Sequence, residues 1–220
     1  MYYDYNLTNN KLNDWKDILH DCQKEILNCN KKIWISWPEK HLYSKDMEWK
    51  IIPICYCIPS DDPKNMIWIE SVQQFIPTIY NFVKSLNNVR TALISRMGKN
   101  VKLDDHQGWK SIANHVLRCH LPILVEQNKS GVIVSNNKKY HILGDSILFD
   151  DSLLHCGFNE SDDKRYVLII DFKRPPTVVK GSSDIESSSE LLKLANLYKI
   201  INNVYNELGG LSCPPITAPY

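Results

Sequence analysis

Histidine and arginine recur in the middle of this chain at strand edges, turns and inward-facing positions. His106 stands in DDHQGW, a loop that continues into Gly108 and Trp109. Arg118 and His120 are two apart in HVLRCHLPILVEQ, so on a strand they share one face while Cys119 takes the other. His155 follows the two-aspartate turn of LFDDSLLH, and ten residues later Arg165 opens the apolar run RYVLIIDFK. On that run Arg165 shares a face with Val167, Ile169 and Asp171, and Tyr166, Leu168, Ile170 and Phe172 take the other, so both faces read as buried. A cation entering such a strand is costly unless an anion meets it. Asp162, Asp163 and Asp171 are close enough in sequence to serve. Each residue alone also fits a plain role, a hydrogen-bonded strand-edge histidine or a paired arginine. Together, on a closed β-sandwich, imidazoles supply the nitrogen ligands with which such folds hold iron. An inward arginine grips a carboxylate through parallel N–H bonds.

The elements that must position these groups are readable from periodicity. Leu12, Trp15, Ile18, Leu19, Cys22 and Ile26 recur at helical spacing through residue 27. KKIWISW (31–37) and EWKIIPI (48–54) read as strands, and TALIS (91–95) as a short buried strand. Ile79, Phe82, Val83 and Leu86 mark a second helix with Pro77 in its first turn. From residue 115 to 173 the chain becomes short β-rich runs split by Asn-Asn, Gly-Asp and Asp-Asp turn signals, with SNNKK (135–139) as a hairpin tip. That spacing predicts a mainly β domain with flanking helices, an α+β chain whose core is a sandwich or jelly roll. After Pro175-Pro176 a polar stretch leads to a last helix. Its signals are an S-x-x-E capping box (Ser187, Glu190), a stripe of Leu191, Leu194, Ala195, Tyr198, Ile201, Tyr205 and Leu208, and a Gly209-Gly210 stop. The expected division is a domain over 1–176 and an appended segment over 177–220, its helix packed on the domain or on a partner subunit.

Bulk properties narrow the class. With 26 Lys and Arg against 25 Asp and Glu, the chain has no charge excess to drive nucleic-acid binding. No apolar run is long enough to span a bilayer and the N-terminus has no signal-peptide core, so a soluble cytoplasmic protein is expected. Seven cysteines without a C-x-x-C pair read as reduced thiols, with Cys22 and Cys29 filling a helix stripe and Cys156 packing. His20 and His41 read as surface residues, and His115 and His141 as ordinary strand residues.

The stretch from Ser95 to Pro175 resembles the aspartyl/asparaginyl β-hydroxylases, iron(II)- and 2-oxoglutarate-dependent oxygenases with a double-stranded β-helix core. The resemblance rests on H-x-G (His106, Gly108), R-x-H-L (Arg118, His120, Leu121), G-D-S-I-L-F-D-D-S-x-x-H ending at His155, Arg165, and the closing RYVLIIDFKRP; a weaker likeness covers about 45–95. It implies that His106 and His155 are the two protein ligands of iron(II), with Gly108 where many such oxygenases carry a carboxylate. It implies further that Arg165, helped by the Ser95 hydroxyl, grips the distal carboxylate of 2-oxoglutarate, and that Arg118 and His120 hold the carboxylate beside its 2-oxo group. The cofactors expected are thus Fe(II), 2-oxoglutarate and O2. The reaction expected is hydroxylation of an unactivated C–H with release of succinate and CO2. The β-carbon of an Asp- or Asn-type side chain in a protein, peptide or amino acid is the expected target.

Two departures from the family bear on access. The gap between His106 and Arg118 is longer than the family pattern, and the extra stretch around WKSIANHV flanks the site. Trp109 within it is a candidate substrate contact or a core residue, and His115 a competing ligand. Two other functions remain open: a non-catalytic jelly-roll binding module, and a halogenating relative that uses the coordination position left by Gly108.

Overall fold

The computed structural model describes residues 1–44, 47–186 and 189–209. Its strands are β1 (Tyr2–Tyr3), β2 (Ile35–Ser36), β3 (Trp49–Cys57), β4 (Met66–Trp68), β5 (Val89–Met97), β6 (Val101–Lys102), β7 (Val116–Leu124), β8 (Ser130–Val134), β9 (Asn137–Tyr140), β10 (Ile147–Phe149), β11 (His155–Asn159) and β12 (Arg165–Lys173). The helices are α1 (Trp15–Asn28), α2 (Pro77–Ser85), α3 (Lys110–Ala113) and α4 (Ser189–Gly209). The larger antiparallel sheet runs β1-β10-β7-β12-β5-β3, with β2 and β4 sharing the free edge of β3. The smaller sheet runs β6-β11-β8-β9. The chain is a jelly roll with helices on its outside.

β12 sits centrally, paired with β5 on one side and β7 on the other. That placement explains its apolar sequence. Leu168, Ile170 and Phe172 join the main core under α1 and α2, while Arg165, Val167, Ile169 and Asp171 face the smaller sheet. Helix α1 buries Trp15, Cys22 and Ile26, and α2 buries Ile79, Tyr80, Phe82 and Val83. Trp15 and Phe82 meet at 5.5 Å between ring centroids. Pro77 occupies the first turn of α2 as expected, and the Glu25 carboxylate from α1 accepts the Thr78 and Ile79 N–H groups at 2.6 and 3.2 Å. A carboxylate there satisfies orphan amides and complements the helix dipole.

Several sequence expectations shift in detail. KKIWISW is a 3-10 turn over Lys31–Ile33 followed by only two strand residues, Ile35 and Ser36, with one further bond from the Trp37 N–H to the Trp49 carbonyl at 3.0 Å. Cys22 fills the buried stripe of α1, but Cys29 lies at its C-cap, past the helical turn that would have buried it equally. The SNNKK tip is a two-residue turn, with Ser135 and Asn136 both at positive φ between β8 and β9. Ser187 and Cys213 lie outside the described residues.

Helix α4 packs on this body. Leu194, Tyr198, Ile201 and Tyr205 enter the main core, the Tyr205 hydroxyl donates to the Ile33 carbonyl at 2.5 Å, and Gln74 donates to the Tyr205 carbonyl at 2.8 Å. The appended segment is therefore joined to the domain across a shared core. Replacing the fully buried Phe172 by Ala is expected to lower unfolding free energy by about 3–5 kcal/mol through cavity formation, read as a shifted urea midpoint at unchanged slope.

Candidate functional site

Backbone pairing brings the two separated histidines together. His106 and His155 form an isolated antiparallel bridge, each N–H donating to the other's carbonyl at 2.9 Å. Their ring centroids lie 4.5 Å apart. Each ring is oriented in the same way: His106 Nδ1 is 2.7 Å from the Asp104 carbonyl and His155 Nδ1 is 2.8 Å from the Leu153 carbonyl. A carbonyl can only accept, so Nδ1 carries the proton and Nε2 keeps its lone pair. Burial pushes both imidazoles down to about 4, helped for His106 by the His155 ring. Both are neutral at pH 7, the state in which a histidine binds metal.

The turn before β11 separates the two aspartates. Asp150 takes Arg174, at 2.6 Å to Nη2. Asp151 points to the histidines, its Oδ1 3.2 Å from His155 Nε2, and it pairs with Arg118. Its other oxygen explains Gly108: a Cβ at that position would stand 2.0 Å from Asp151 Oδ2. The glycine leaves room for a carboxylate supplied from elsewhere in the chain. Asp104 and Asp105 are exposed loop residues, and the Asp104 contribution to the histidines is its backbone carbonyl. Among the described residues no group of three or more His, Cys, Asp and Glu side chains converges as a metal cage. What converges is the imidazole pair with one carboxylate beside it. That donor set fits an iron(II) ion held by two protein nitrogens with other positions open.

The larger sheet supplies the opposite wall. Arg118 lies on β7 opposite Asp171 of β12, and its Nε and Nη2 meet the two Asp171 oxygens at 2.8 and 3.0 Å. Burial works to lower the Arg118 pKa, but Asp151 and Asp171 outweigh it and hold the guanidinium firmly charged. Burial in turn pushes both carboxyls up, and Arg118 draws them back. Thus Arg118, expected to hold a cosubstrate carboxylate, is engaged with two carboxylates of its own chain.

His120, two residues on, is buried with its Nδ1 3.2 Å from His141 Nε2, and His141 Nδ1 lies 3.4 Å from the Ser130 hydroxyl. His141, read from the sequence as an ordinary strand residue, is fully buried and orients His120. Burial drives both well below the usual imidazole range. His115 stands away from this cluster, its backbone accepting from Arg174, and His20 and His41 are exposed.

Arg165 differs from Arg118. It is 2% exposed, and only its Nη2 has a partner, the Ser95 hydroxyl at 3.3 Å. Its Nε and Nη1 are buried without one. Burial alone lowers its pKa to about 10, with no carboxylate to offset it. Ser95 is positioned by the Trp49 indole, which donates to its hydroxyl at 3.1 Å. His106, His155, Arg118, His120 and Arg165 line one cavity between the sheets. The five charged or imidazole groups expected from the sequence, and Ser95, are brought to one place.

A model of the aspartyl/asparaginyl beta-hydroxylases matches residues 12–175, most of the length described above. This chain belongs to that family. One relative, the ornithine lipid ester-linked acyl 2-hydroxylase of Rhizobium tropici, is 31% identical over 101 residues, 45% of this chain. The match spans 35% of that relative's length. Among solved structures, a 2OG-Fe(II) oxygenase family oxidoreductase from Burkholderia pseudomallei covers 77% of this chain and 82% of its own at 11% identity and a TM-score of 0.48. A Pseudomonas putida prolyl-4-hydroxylase covers 75% and 86% at 9% identity and a TM-score of 0.41.

Sequence reasoning missed Asp151 as a site residue. Its signal was there, an aspartate four residues before His155 inside a turn, where the chain folds back on itself. Trp109 is buried and stacks on Trp37 at 6.1 Å, as a core residue would, and it also lines the pocket that includes His106. For the metal-free protein, depressed imidazole pKa values mean that the unfolded state binds more protons between pH 6.5 and 4. Stability is then full above about 6.5 and falls as pH drops toward about 4. Urea midpoints across that window are expected to fall less steeply in His155→Asn than in the parent.

Proposed function

We propose that this protein is an iron(II)- and 2-oxoglutarate-dependent hydroxylase. The observation that carries the reading is Arg165, a buried guanidinium with two unpartnered nitrogens, facing a cavity that also holds two neutral imidazoles whose Nδ1 atoms are committed to backbone carbonyls. A structural β-sandwich gains nothing from an uncompensated buried charge, whereas a dicarboxylate cosubstrate supplies the missing anion. That argues against the non-catalytic module.

In this reading His106 and His155 hold the metal through Nε2, and the Asp104 and Leu153 carbonyls fix the ring orientation. Arg165 and Ser95 bind the distal carboxylate of 2-oxoglutarate. His120, aligned by His141, faces the same space and offers Nε2 to the other end of the cosubstrate. Arg118 acts chiefly by placing Asp151 and Asp171, rather than by gripping the cosubstrate directly. Held there, iron(II) and 2-oxoglutarate would supply the oxidative chemistry, in which O2 is consumed, 2-oxoglutarate yields succinate and CO2, and one oxygen atom goes to a substrate C–H bond. The low-dielectric walls keep bulk water from the reacting centre. The Asp151 carboxyl group crowds the space beside Gly108 that a halide would need, which disfavours the halogenating reading.

For the substrate, the family's Asp- or Asn-type side chain and the acyl chain named for the Rhizobium relative are the two chemical precedents. The pocket in front of His106 is walled by Trp37, Trp49, Trp109, Ile112 and Leu93, which favours a mostly apolar partner over a free carboxylate.

Anaerobic addition of iron(II) and 2-oxoglutarate should produce the visible metal-to-ligand charge-transfer band. His106→Ala and His155→Ala are each expected to abolish it. Arg165→Met should weaken 2-oxoglutarate about 100-fold or more while iron(II) binding persists, in line with ~2–5 kcal/mol for a buried charge pair. Full iron affinity and turnover in the double histidine variant would sink the assignment.

A further inference from the structure

The pocket beside the histidines has a wall that lies outside the family match. Leu194 and Tyr198 of α4 line it, opposite Trp37, Trp49 and Trp109. The three tryptophans form one stacked slab, with Trp37 4.8 Å from Trp49 and 6.1 Å from Trp109. Tyr198 in turn packs on Tyr56, ring to ring at 5.1 Å. The segment leading into α4 is sewn to the site as well. The Ser183 hydroxyl donates to the Gly108 carbonyl at 2.6 Å, and Asn114 and Ser183 exchange two further hydrogen bonds at 2.9 and 2.8 Å. The appended segment is thus part of the pocket's architecture.

The charged groups of that pocket already have partners. Arg118 is bidentate on Asp171 and paired with Asp151, and Glu39 accepts the Trp37 indole N–H at 3.1 Å. Two hydroxyls of lining residues, Tyr56 Oη and Thr91 Oγ1, are instead both buried and both without a hydrogen-bond partner. Tyr56 is 4% exposed. Sheet register places them together. Thr91 pairs with Asp171, Asp171 with Arg118, and past the bulge in β3 Tyr56 comes alongside Thr91. One row therefore runs across the inner face of the sheet from the neighbourhood of the histidines to two unsatisfied hydroxyls. A buried hydroxyl without a partner is costly, and both residues line the pocket.

We infer that this pocket binds the substrate through an uncharged, apolar chain carrying one neutral hydrogen-bonding group, such as an amide, which the Tyr56 and Thr91 hydroxyls receive, and that α4 supplies part of the apolar wall against which the chain packs. An anion entering here meets a guanidinium already neutralised, and a cation meets carboxylates already paired. Either would be desolvated without a counter-ion. A neutral amide instead supplies both a donor and an acceptor to hydroxyls that can be either. The inference rests on the proposed hydroxylase reading for the identity of the pocket as a substrate site.

Its test needs neither iron nor 2-oxoglutarate, so it can fail while the charge-transfer band appears, and the reverse. Octanamide, octanoate and octylamine, matched in chain length, are titrated into the full chain while intrinsic tryptophan fluorescence is followed. The stacked tryptophans report occupancy directly. Octanamide is expected to bind saturably and at least about tenfold more tightly than either charged probe, the worth of one buried hydrogen bond. In Tyr56→Phe/Thr91→Val that preference should collapse while the melting temperature holds or rises, because two unsatisfied buried groups have been removed. Leu194→Ala should weaken octanamide without changing the order of the three probes. Tightest binding by octanoate or octylamine, no saturable binding by any probe, or an unchanged preference in the double variant would each overturn the inference.

Discussion

The site depends on Arg118 standing between two buried carboxylates. Asp171 belongs to β12 of the larger sheet, and Asp151 to the turn that leads into β11 of the smaller one. One guanidinium therefore ties the two layers of the jelly roll together beside the imidazole pair. Without it two desolvated carboxylates would face each other across the cavity, a situation that costs about 3–5 kcal/mol when one partner of a buried pair is removed. With it, Asp151 is held in place 3.2 Å from His155 Nε2, and the space that Gly108 vacates is filled by a carboxyl group of fixed orientation. The backbone bridge between His106 and His155 and the side-chain bridge through Arg118 constrain the same few atoms from opposite sides.

Much of this was legible in the sequence, for a physical reason. Strand alternation puts residues two apart on one face, so Arg118 with His120 and Arg165 with Asp171 could be paired on paper. The costly position of Arg165 on a doubly buried strand marked it as unusual before any fold was known. Elements with strong periodicity, such as α1, α2 and β12, lie where expected. The failures share a cause as well. Which carboxylate meets Arg118, that His141 backs His120, and that KKIWISW barely pairs are all set by contacts between segments distant in the chain. Hydrophobic periodicity carries no information about those contacts. Asp151 was hidden in a turn motif, where a plain turn-forming role already accounts for an aspartate.

The two buried arginines show how a fold separates structure from recognition. They sit on adjacent strands, face the same cavity and have the same side chain. Arg118 is saturated, with every charge-assisted bond directed at the protein, and its pKa is pushed up. Arg165 is left short by two donors, and burial lowers it to about 10. A saturated guanidinium stabilises the site and cannot readily trade partners for a ligand. An unsaturated one destabilises the empty site and recovers that energy only when an anion arrives.

The same asymmetry extends to the hydroxyls. Ser95 is engaged by both Trp49 and Arg165, whereas Tyr56 and Thr91 have no partner. Unmet hydrogen-bonding capacity thus occurs at two places on the inner face, one anion-seeking beside the histidines and one neutral under α4. Two ligands of different charge can occupy neighbouring space only if each finds its own unmet groups, and the saturated Arg118–Asp171 pair shares its row with the hydroxyls, three rows along β12 from Arg165. A cosubstrate that carries two carboxylates is steered to Arg165, and the apolar end under α4 is left to a molecule that brings no charge. The separation of Arg165 from the row of Arg118, Asp171 and Thr91 is fixed by the antiparallel register of β5, β12 and β7. Selectivity here is a property of which polar groups the fold leaves unsatisfied.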